Sequence, residues 1–131
     1  MKRQSWLPAA PEGAPQARAL IRAAASDLDL DGDTTYELML ATTEAFANAV
    51  EHGSPCERGG IFLCVESRDG GVGVEVCDCG GRFTMNGATS RKPESEGGRG
   101  MRIIAAIMDS LEVTPDTGVT RVRFEKWLSA A

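Results

Sequence analysis

The chain has 131 residues, a common size for one domain, and 42% of them are hydrophobic, which is enough for an apolar core. A formal net charge of −5 argues against DNA or RNA as the partner, because phosphate binding needs clustered lysine and arginine. Apolar runs are short, and the N-terminus "MKRQSWLPAAPEG" lacks the apolar region of a secretory signal. We therefore expect a single cytoplasmic domain over residues 1–131, away from membranes.

The first part of the chain predicts a short strand and two helices. The strand covers residues 3–9, and small and apolar residues at helical spacing predict a helix over 13–28. A second helix is expected over 35–52, opened by a capping box in which Thr34 and Glu37 satisfy backbone N–H groups.

The acidic turn between these helices has a second interpretation. Three aspartates and a glycine match the start of a calcium-binding loop: Asp27, Asp29, Asp31 and Gly32. That loop needs a glutamate at position 38, where Leu38 stands, and the nearest carboxylate, Glu37, is one residue early. The spacing therefore favours a helix-capping turn over a calcium site.

The second half predicts two hairpins separated by a loop and a helix. Strands are expected over 60–67 and 72–78, joined by the turn "RDGG", and a final pair is expected across "PDTG". Between them, 79–100 is a glycine-rich loop, followed by a helix from Met101. This order predicts an α+β two-layer sandwich, with a mixed, mainly antiparallel sheet and helices on one face.

The four cysteines are Cys56, Cys64, Cys77 and Cys79. The last two form a C-x-C with no second pair at ligand spacing, so zinc binding is not favoured. We expect Cys64 and Cys77 to be small, reduced, buried residues in strands.

Three segments could carry chemistry. Glu44 and Asn48 lie one turn apart on the second helix. The amide oxygen of Asn48 could bind Mg²⁺, and the carboxylate of Glu44 could accept a proton. The alternative is that these polar residues form a solvated stripe on the helix surface. Asp78 and Gly80 follow a strand, where a carboxylate could accept a hydrogen bond from an amino group while glycine lets a ring approach. Glycines in "GGRGM" precede a helix, where free N–H groups bind anions.

These segments resemble, in order, the motifs of a known superfamily. "EAFANAVEH" is similar to the N-box of the GHKL ATPases with the histidine-kinase-like ATPase (Bergerat) fold, "DCGGRF" and "EGGRGMRII" to its two glycine boxes, and "GVTRVRF" to its closing strand. The short chain and the run "GGRGMRIIAAIMDSLEV" resemble, more narrowly, the anti-sigma-factor serine/threonine kinases of bacterial partner switching.

The resemblance implies ATP and Mg²⁺ as cofactors and assigns roles to matching positions. Asn48 would be the Mg²⁺ ligand, Glu44 the general base and Asp78 the acceptor of the adenine amino group. The other nucleotide-binding positions it implies are Gly80, Gly98, Gly100, Met101 and Thr120.

The predicted lid over about 82–99 departs from the family pattern at two positions. Arg82 replaces the second glycine of the first box, and Glu96 stands where some members carry a lid arginine. Arg99, a candidate catalytic residue beside Glu44, or Arg91 could contact the phosphates instead, and the sequence does not choose between the two arginines.

The implied function is a protein kinase that phosphorylates a STAS-domain anti-sigma-factor antagonist and sequesters a sigma factor or another regulator. The resemblance also allows a homodimer. The alternative function is a nucleotide-gated binding module with little or no kinase activity, which the departures at Arg82 and Glu96 favour.

Overall fold

Five strands form one sheet. The computed structural model describes residues 1–53, 56, 59–79, 98–116 and 118–128. The strands, in chain order, are β1 (Lys2–Pro8), β2 (Gly60–Arg68), β3 (Gly71–Asp78), β4 (Ser110–Asp116) and β5 (Val119–Trp127). The helices are α1 (Ala14–Leu28), preceded by a 3-10 turn at Pro11–Gly13, α2 (Gly32–His52) and α3 (Gly98–Ile107). The sheet order is β1-β2-β3-β5-β4, and every strand pair in the described residues is antiparallel.

The core lies between the sheet and the helices. Residues that alternate along the strands point to one buried face, and an apolar stripe of α2 that includes Leu38, Ala41 and Ala45 packs against it. The largest fully buried side chains belong to both layers: Phe46, Phe124, Ile21, Leu38, Ile61, Leu63 and Ile104. The predicted α+β sandwich with helices on one face is confirmed.

Helix α2 begins three residues earlier than predicted, and its cap is a different residue. Asp31 is extended and accepts a hydrogen bond from the backbone N–H of Thr34 at 2.7 Å, so Thr34 lies inside the first turn. The predicted capping box at Thr34 and Glu37 is therefore wrong. Asp31 and Thr34 are both common capping residues, and the carboxylate upstream satisfies the free N–H groups first.

The other acidic residues of this turn have separate structural contacts. Asp27 pairs with Arg3 of β1, with 2.6 Å between Oδ2 and Nε. Asp29 has a φ of 54°, and this left-handed residue ends α1. The turn thus divides its carboxylates between an ion pair, a helix end and a helix start.

Helix α3 also begins three residues earlier than predicted, at Gly98 instead of Met101. The glycines of "GGRGM", expected in a loop, therefore belong in part to its first turn, and residues 98 and 99 of the predicted lid lie in α3. At the other end of α3, Lys126 donates a hydrogen bond from Nζ to the carbonyl oxygen of Ile107 at 2.8 Å, and it pairs with Glu37 of α2 at 2.8 Å.

Within the described ranges, none of the helices is both long and apolar enough to cross a membrane.

Candidate functional site

Glu44 and Asn48 lie one turn apart on α2, so their side chains leave the same side of the helix. Both are half-buried, whereas Ala45 and Ala49 beside them are buried in the core. An oxygen-bearing row at the margin of the core is partly shielded from water, and a charge there interacts more strongly than on an open surface.

The first turn of α3 packs against Glu44. A Cβ atom built on Gly100 would lie 3.0 Å from Glu44 Oε1 and 3.7 Å from Glu44 Cβ. Only a residue without a side chain allows the two helices to approach this closely without displacing the carboxylate. The structure therefore brings together the predicted base and the second glycine box, which are 56 positions apart in the sequence (100 − 44).

Asp78 and Thr120 are direct partners across the β3–β5 pair, and both point toward the helices. Asp78 is 6% exposed and Thr120 is 3% exposed. Thr120 Oγ1 is buried and has no hydrogen-bond partner among the described residues. A buried hydroxyl of this kind, next to a buried carboxylate, is suited to a polar ligand or a bridging water.

The end of α2 contacts the carboxylate of Asp78. Gly53 is the C-cap residue, and its N–H donates to the carbonyl of Ala49 at 2.9 Å. A Cβ atom on Gly53 would lie 2.4 Å from Asp78 Cγ and 2.6 Å from Asp78 Oδ2. The sequence does not predict this contact, because a glycine after a helix indicates only the end of that helix.

The two ends of the site are held apart by α2 itself. Gly53 follows Glu44 by nine residues, which corresponds to about 13 Å along a helix axis. One end has the buried Asp78–Thr120 pair, and the other has Glu44, Asn48 and the start of α3. An elongated ligand with a hydrogen-bond donor at one end and an anionic group at the other fits this arrangement.

The remaining predicted site residues are less closely engaged. Arg99 is exposed on the first turn of α3, and Met101 is half-buried against the core. Gly98 is the first residue of α3. Four predicted positions lie outside the described residues, as does most of the predicted lid: Gly80, Arg82, Arg91 and Glu96.

The cysteines divide into two pairs. Cys64 and Cys77 are free and buried in strands, which confirms their predicted place. Burial, together with nearby Glu75, raises the pKa of the Cys77 thiol to about 11. Cys56 and Cys79 form a disulfide, a pairing that the sequence did not predict.

Comparison with known proteins agrees with this geometry. The sequence profile of the family described as "Histidine kinase-like ATPase domain" matches residues 7–126. The chain belongs to this family, within its group of anti-sigma factors and RsbW-type serine kinases.

Two curated relatives illustrate the group. The serine-protein kinase RsbW of Bacillus licheniformis is 31% identical over 136 residues, which cover 93% of this chain and 82% of that protein. The anti-sigma F factor of Clostridium acetobutylicum is 29% identical over 108 residues, which cover 78% of this chain and 76% of that protein.

Solved structures share the fold. The RsbU and RsbW domains of a Mycobacterium tuberculosis protein match with a TM-score of 0.77 at 22% identity, covering all of this chain but only 33% of that one. A chain of the SiaB-SiaC complex from Pseudomonas aeruginosa matches with a TM-score of 0.64 at 9% identity, covering 95% of this chain and 88% of that one.

Proposed function

We propose that this protein is an ATP-dependent serine/threonine kinase of a bacterial partner-switching system. The observation that supports it most directly is the contact between Gly100 and Glu44, which places a carboxylate at the start of a helix. The N-terminus of a helix attracts phosphate, and a carboxylate beside it can accept the proton of a hydroxyl that attacks that phosphate.

In this proposal each end of the site binds one end of ATP. Asp78 accepts a hydrogen bond from the adenine amino group, supported by the hydroxyl of Thr120 through a water. The first-turn N–H groups of α3, which starts at Gly98, bind the phosphates. Gly80 would lie beside the ring, Met101 beside the nucleotide, and the exposed guanidinium of Arg99 would reach the γ-phosphate.

The chemistry of the donor set suits a magnesium ion bound mainly by ATP. Mg²⁺ takes oxygen ligands and commonly one or two protein groups, with phosphates and waters completing its shell. The described residues contain no cluster of three or more histidine, cysteine or acidic side chains that could hold a metal alone. We assign the side-chain oxygen of Asn48 as the protein ligand, and Mg²⁺, when bound, would neutralise phosphate charge.

For phosphoryl transfer, the protein mainly has to position the groups and stabilise charge. Glu44 would take the proton from the attacking serine or threonine hydroxyl onto a carboxylate oxygen. Gly100 keeps that carboxylate clear of a side chain from α3.

The proposed partners follow from the relatives named above, one an anti-sigma factor and one a serine-protein kinase. We propose that the chain, as one cytoplasmic domain over residues 1–131, phosphorylates a STAS-domain antagonist. In its other state it would sequester a sigma factor or another regulator, as a monomer or a homodimer.

Nucleotide binding is tested first, by thermal unfolding with ATP, GTP, Mg²⁺ and EDTA. Binding at a hundredfold excess over the dissociation constant should add about 2.7 kcal/mol to the free energy of unfolding. Asn48→Ala should weaken binding of ATP–Mg²⁺ but not of metal-free nucleotide, whereas Asp78→Asn should weaken binding of all adenine nucleotides. The absence of any shift with millimolar ATP–Mg²⁺ would reject the proposed site.

Catalysis is tested by Glu44→Gln, which keeps the size of the side chain but cannot accept a proton. We expect ATP affinity to stay within a few-fold and phosphotransfer to a STAS antagonist to fall by about 10²- to 10⁴-fold. Labelled ATP and a purified antagonist provide the assay, with wild type in parallel. Unchanged transfer by the variant would reject Glu44 as the base. Tight ATP binding by the wild type without transfer would favour the nucleotide-gated binding module.

A further inference from the structure

We propose that Cys56 and Cys79 form a redox modification site beside the adenine end of the nucleotide pocket, and that their oxidation strengthens nucleotide binding. The inference rests on the proposed role of Asp78.

The disulfide joins two chain segments that both border Asp78. Cys79 directly follows Asp78 at the end of β3, and Cys56 lies three residues after Gly53, whose backbone packs against the Asp78 carboxylate. Cys56 is in turn fixed to the start of β2, because its N–H donates to the carbonyl of Gly60 at 3.0 Å. The bond therefore anchors the end of β3 to the turn that enters β2.

This anchor acts on the backbone that positions the carboxylate. Asp78 is the last residue of β3, and in the described part of the chain the ladder with β5 ends at its partner Thr120. Beyond that point, among the described residues, the bond to Cys56 ties Cys79 back to the start of β2. A covalent tie at this position reduces the conformations open to Asp78, and a binding group held in place before the ligand arrives loses less entropy on binding.

The four thiols differ in access, which makes oxidation selective. Cys56 and Cys79 are partly exposed, whereas Cys64 and Cys77 are buried. Burial raises the pKa of both Cys64 and Cys77, so their reactive thiolate forms are scarce at neutral pH. An oxidant that enters from solvent therefore meets the paired cysteines first.

The reaction balances with a small-molecule disulfide, such as oxidised glutathione, as the oxidant. The thiolate of one cysteine attacks the small disulfide and releases one small thiol, leaving a mixed disulfide on the protein. The thiolate of the second cysteine then attacks the protein sulfur and releases the other small thiol. Two electrons pass from the protein to the oxidant, and the two protein protons end on the two released thiols. In a cytoplasm that keeps thiols reduced, such a pair would close only under oxidative stress.

The experiment measures ADP and ATP–Mg²⁺ binding to the full chain by calorimetry, after treatment with oxidised glutathione or with a reductant. A thiol titration of each sample after denaturation, where the buried Cys64 and Cys77 also react, gives the extent of bond formation. The count should be four thiols in the reduced state and two in the oxidised state. We expect the oxidised protein to bind about three- to tenfold more tightly.

Two variants serve as controls. The double variant Cys56→Ser/Cys79→Ser can form neither the bond nor a mixed disulfide at this position, and it should bind like the reduced wild type under both treatments. Cys64→Ala removes a buried thiol outside the pair and should retain the full response to oxidation.

The outcomes separate the two proposals. Equal affinities in the two states, with the bond confirmed by thiol titration, would overturn the redox inference alone, as would tighter binding by the reduced form or an unchanged thiol count. If neither state binds any adenine nucleotide, the proposed function fails instead, and the effect on affinity falls with it.

Discussion

Replacing Gly53 by alanine should damage adenine binding through a clash with Asp78. The φ and ψ of Gly53 are −94° and −165°, which an alanine adopts without strain. The added Cβ would nevertheless lie 2.4 Å from Asp78 Cγ and 2.6 Å from Asp78 Oδ2, so the effect is steric and not conformational.

The size of the effect follows from the distances. Ordinary contact begins near 3.4 Å, so the Asp78 carboxylate has to retreat by about 1 Å (3.4 − 2.4) if the backbone of Gly53 stays in place. The donor–acceptor distances of N–H to oxygen hydrogen bonds cover a range only about 0.5 Å wide, so a shift of this size would break the proposed bond to the adenine amino group. A hydrogen bond to a charged group contributes about 1.5–3 kcal/mol, and its loss weakens affinity roughly ten- to a hundredfold.

Calorimetric titration with ADP measures this loss, and Gly32→Ala is the matched control. Gly32 begins the same helix, and a Cβ there meets no atom within 4 Å, so its affinity for ADP should equal that of wild type. The new methyl at Gly53 would also lie 2.7 Å from the carbonyl oxygen of Ala49, so the titration is performed at a temperature where circular dichroism shows the variant folded.

A double variant with Asp78→Asn tests whether the effect passes through that carboxylate. Because both changes disturb one hydrogen bond, their losses in binding free energy should be clearly less than additive. A folded Gly53→Ala protein that binds ADP within twofold of wild type would refute the reasoning, and so would full additivity with Asp78→Asn.

Three further predictions concern stability. The hydrogen bond from the N–H of Thr34 lowers the pKa of Asp31, so the capping contribution of Asp31 is present above its unfolded pKa and is lost as pH falls through its folded pKa. Asp31→Ala should therefore lower Tm at pH 7 but not in strong acid. Asp33→Ala, in the same first turn, is the control and should have a smaller effect. The pKa of Cys77 is raised in the folded state, so its contribution to stability is lost as pH rises, not as pH falls. The free energy of unfolding of the wild type, measured by urea titration, should therefore decrease relative to that of Cys77→Ala between pH 9.0 and about 11. Ile104→Ala, at 0% exposure, should lower the free energy of unfolding by about 2–5 kcal/mol, and a loss below 1 kcal/mol would contradict its place in the core.

The sequence predicted those parts of the molecule that depend on local periodicity. The alternating strands are confirmed, and so is helix α2, whose apolar stripe contains the buried Leu38 and Phe46. Each of these elements buries one face, and the resulting periodic pattern of apolar residues can be read without knowing which element it packs against. The starts of α2 and α3 were each placed three residues late. At α2 both Asp31 and Thr34 are capping residues, and spacing alone does not choose between them.

Contacts between distant segments could not be predicted in this way. The approach of Gly53 to Asp78 and the bond between Cys56 and Cys79 join positions 25 (78 − 53) and 23 residues apart, respectively. Their existence depends on how the end of α2 meets the end of β3. The proposed roles of Glu44, Asn48 and Asp78 are implied by the resemblance of whole motifs to a known family. The structure adds which of these motifs lie in contact.

The hydrogen bond from Lys126 to the last turn of α3 fixes the C-terminal end of that helix, so a tilt of α3 would move mainly its N-terminal end. Its C-terminal end is held by Lys126 at the carbonyl of Ile107, while its N-terminal end carries Gly100, which packs against Glu44. Gly98 lies nine residues before Ile107 (107 − 98), about 13.5 Å along the helix axis, so a rotation of about 10° around the fixed end would move Gly98 by roughly 2.4 Å. A displacement of this size is enough to form or break contacts with a phosphate group. Lys126 also pairs with Glu37 of α2. A small change in the angle of α3 at its contact with Lys126 would thus become a larger displacement at the opposite end of the helix.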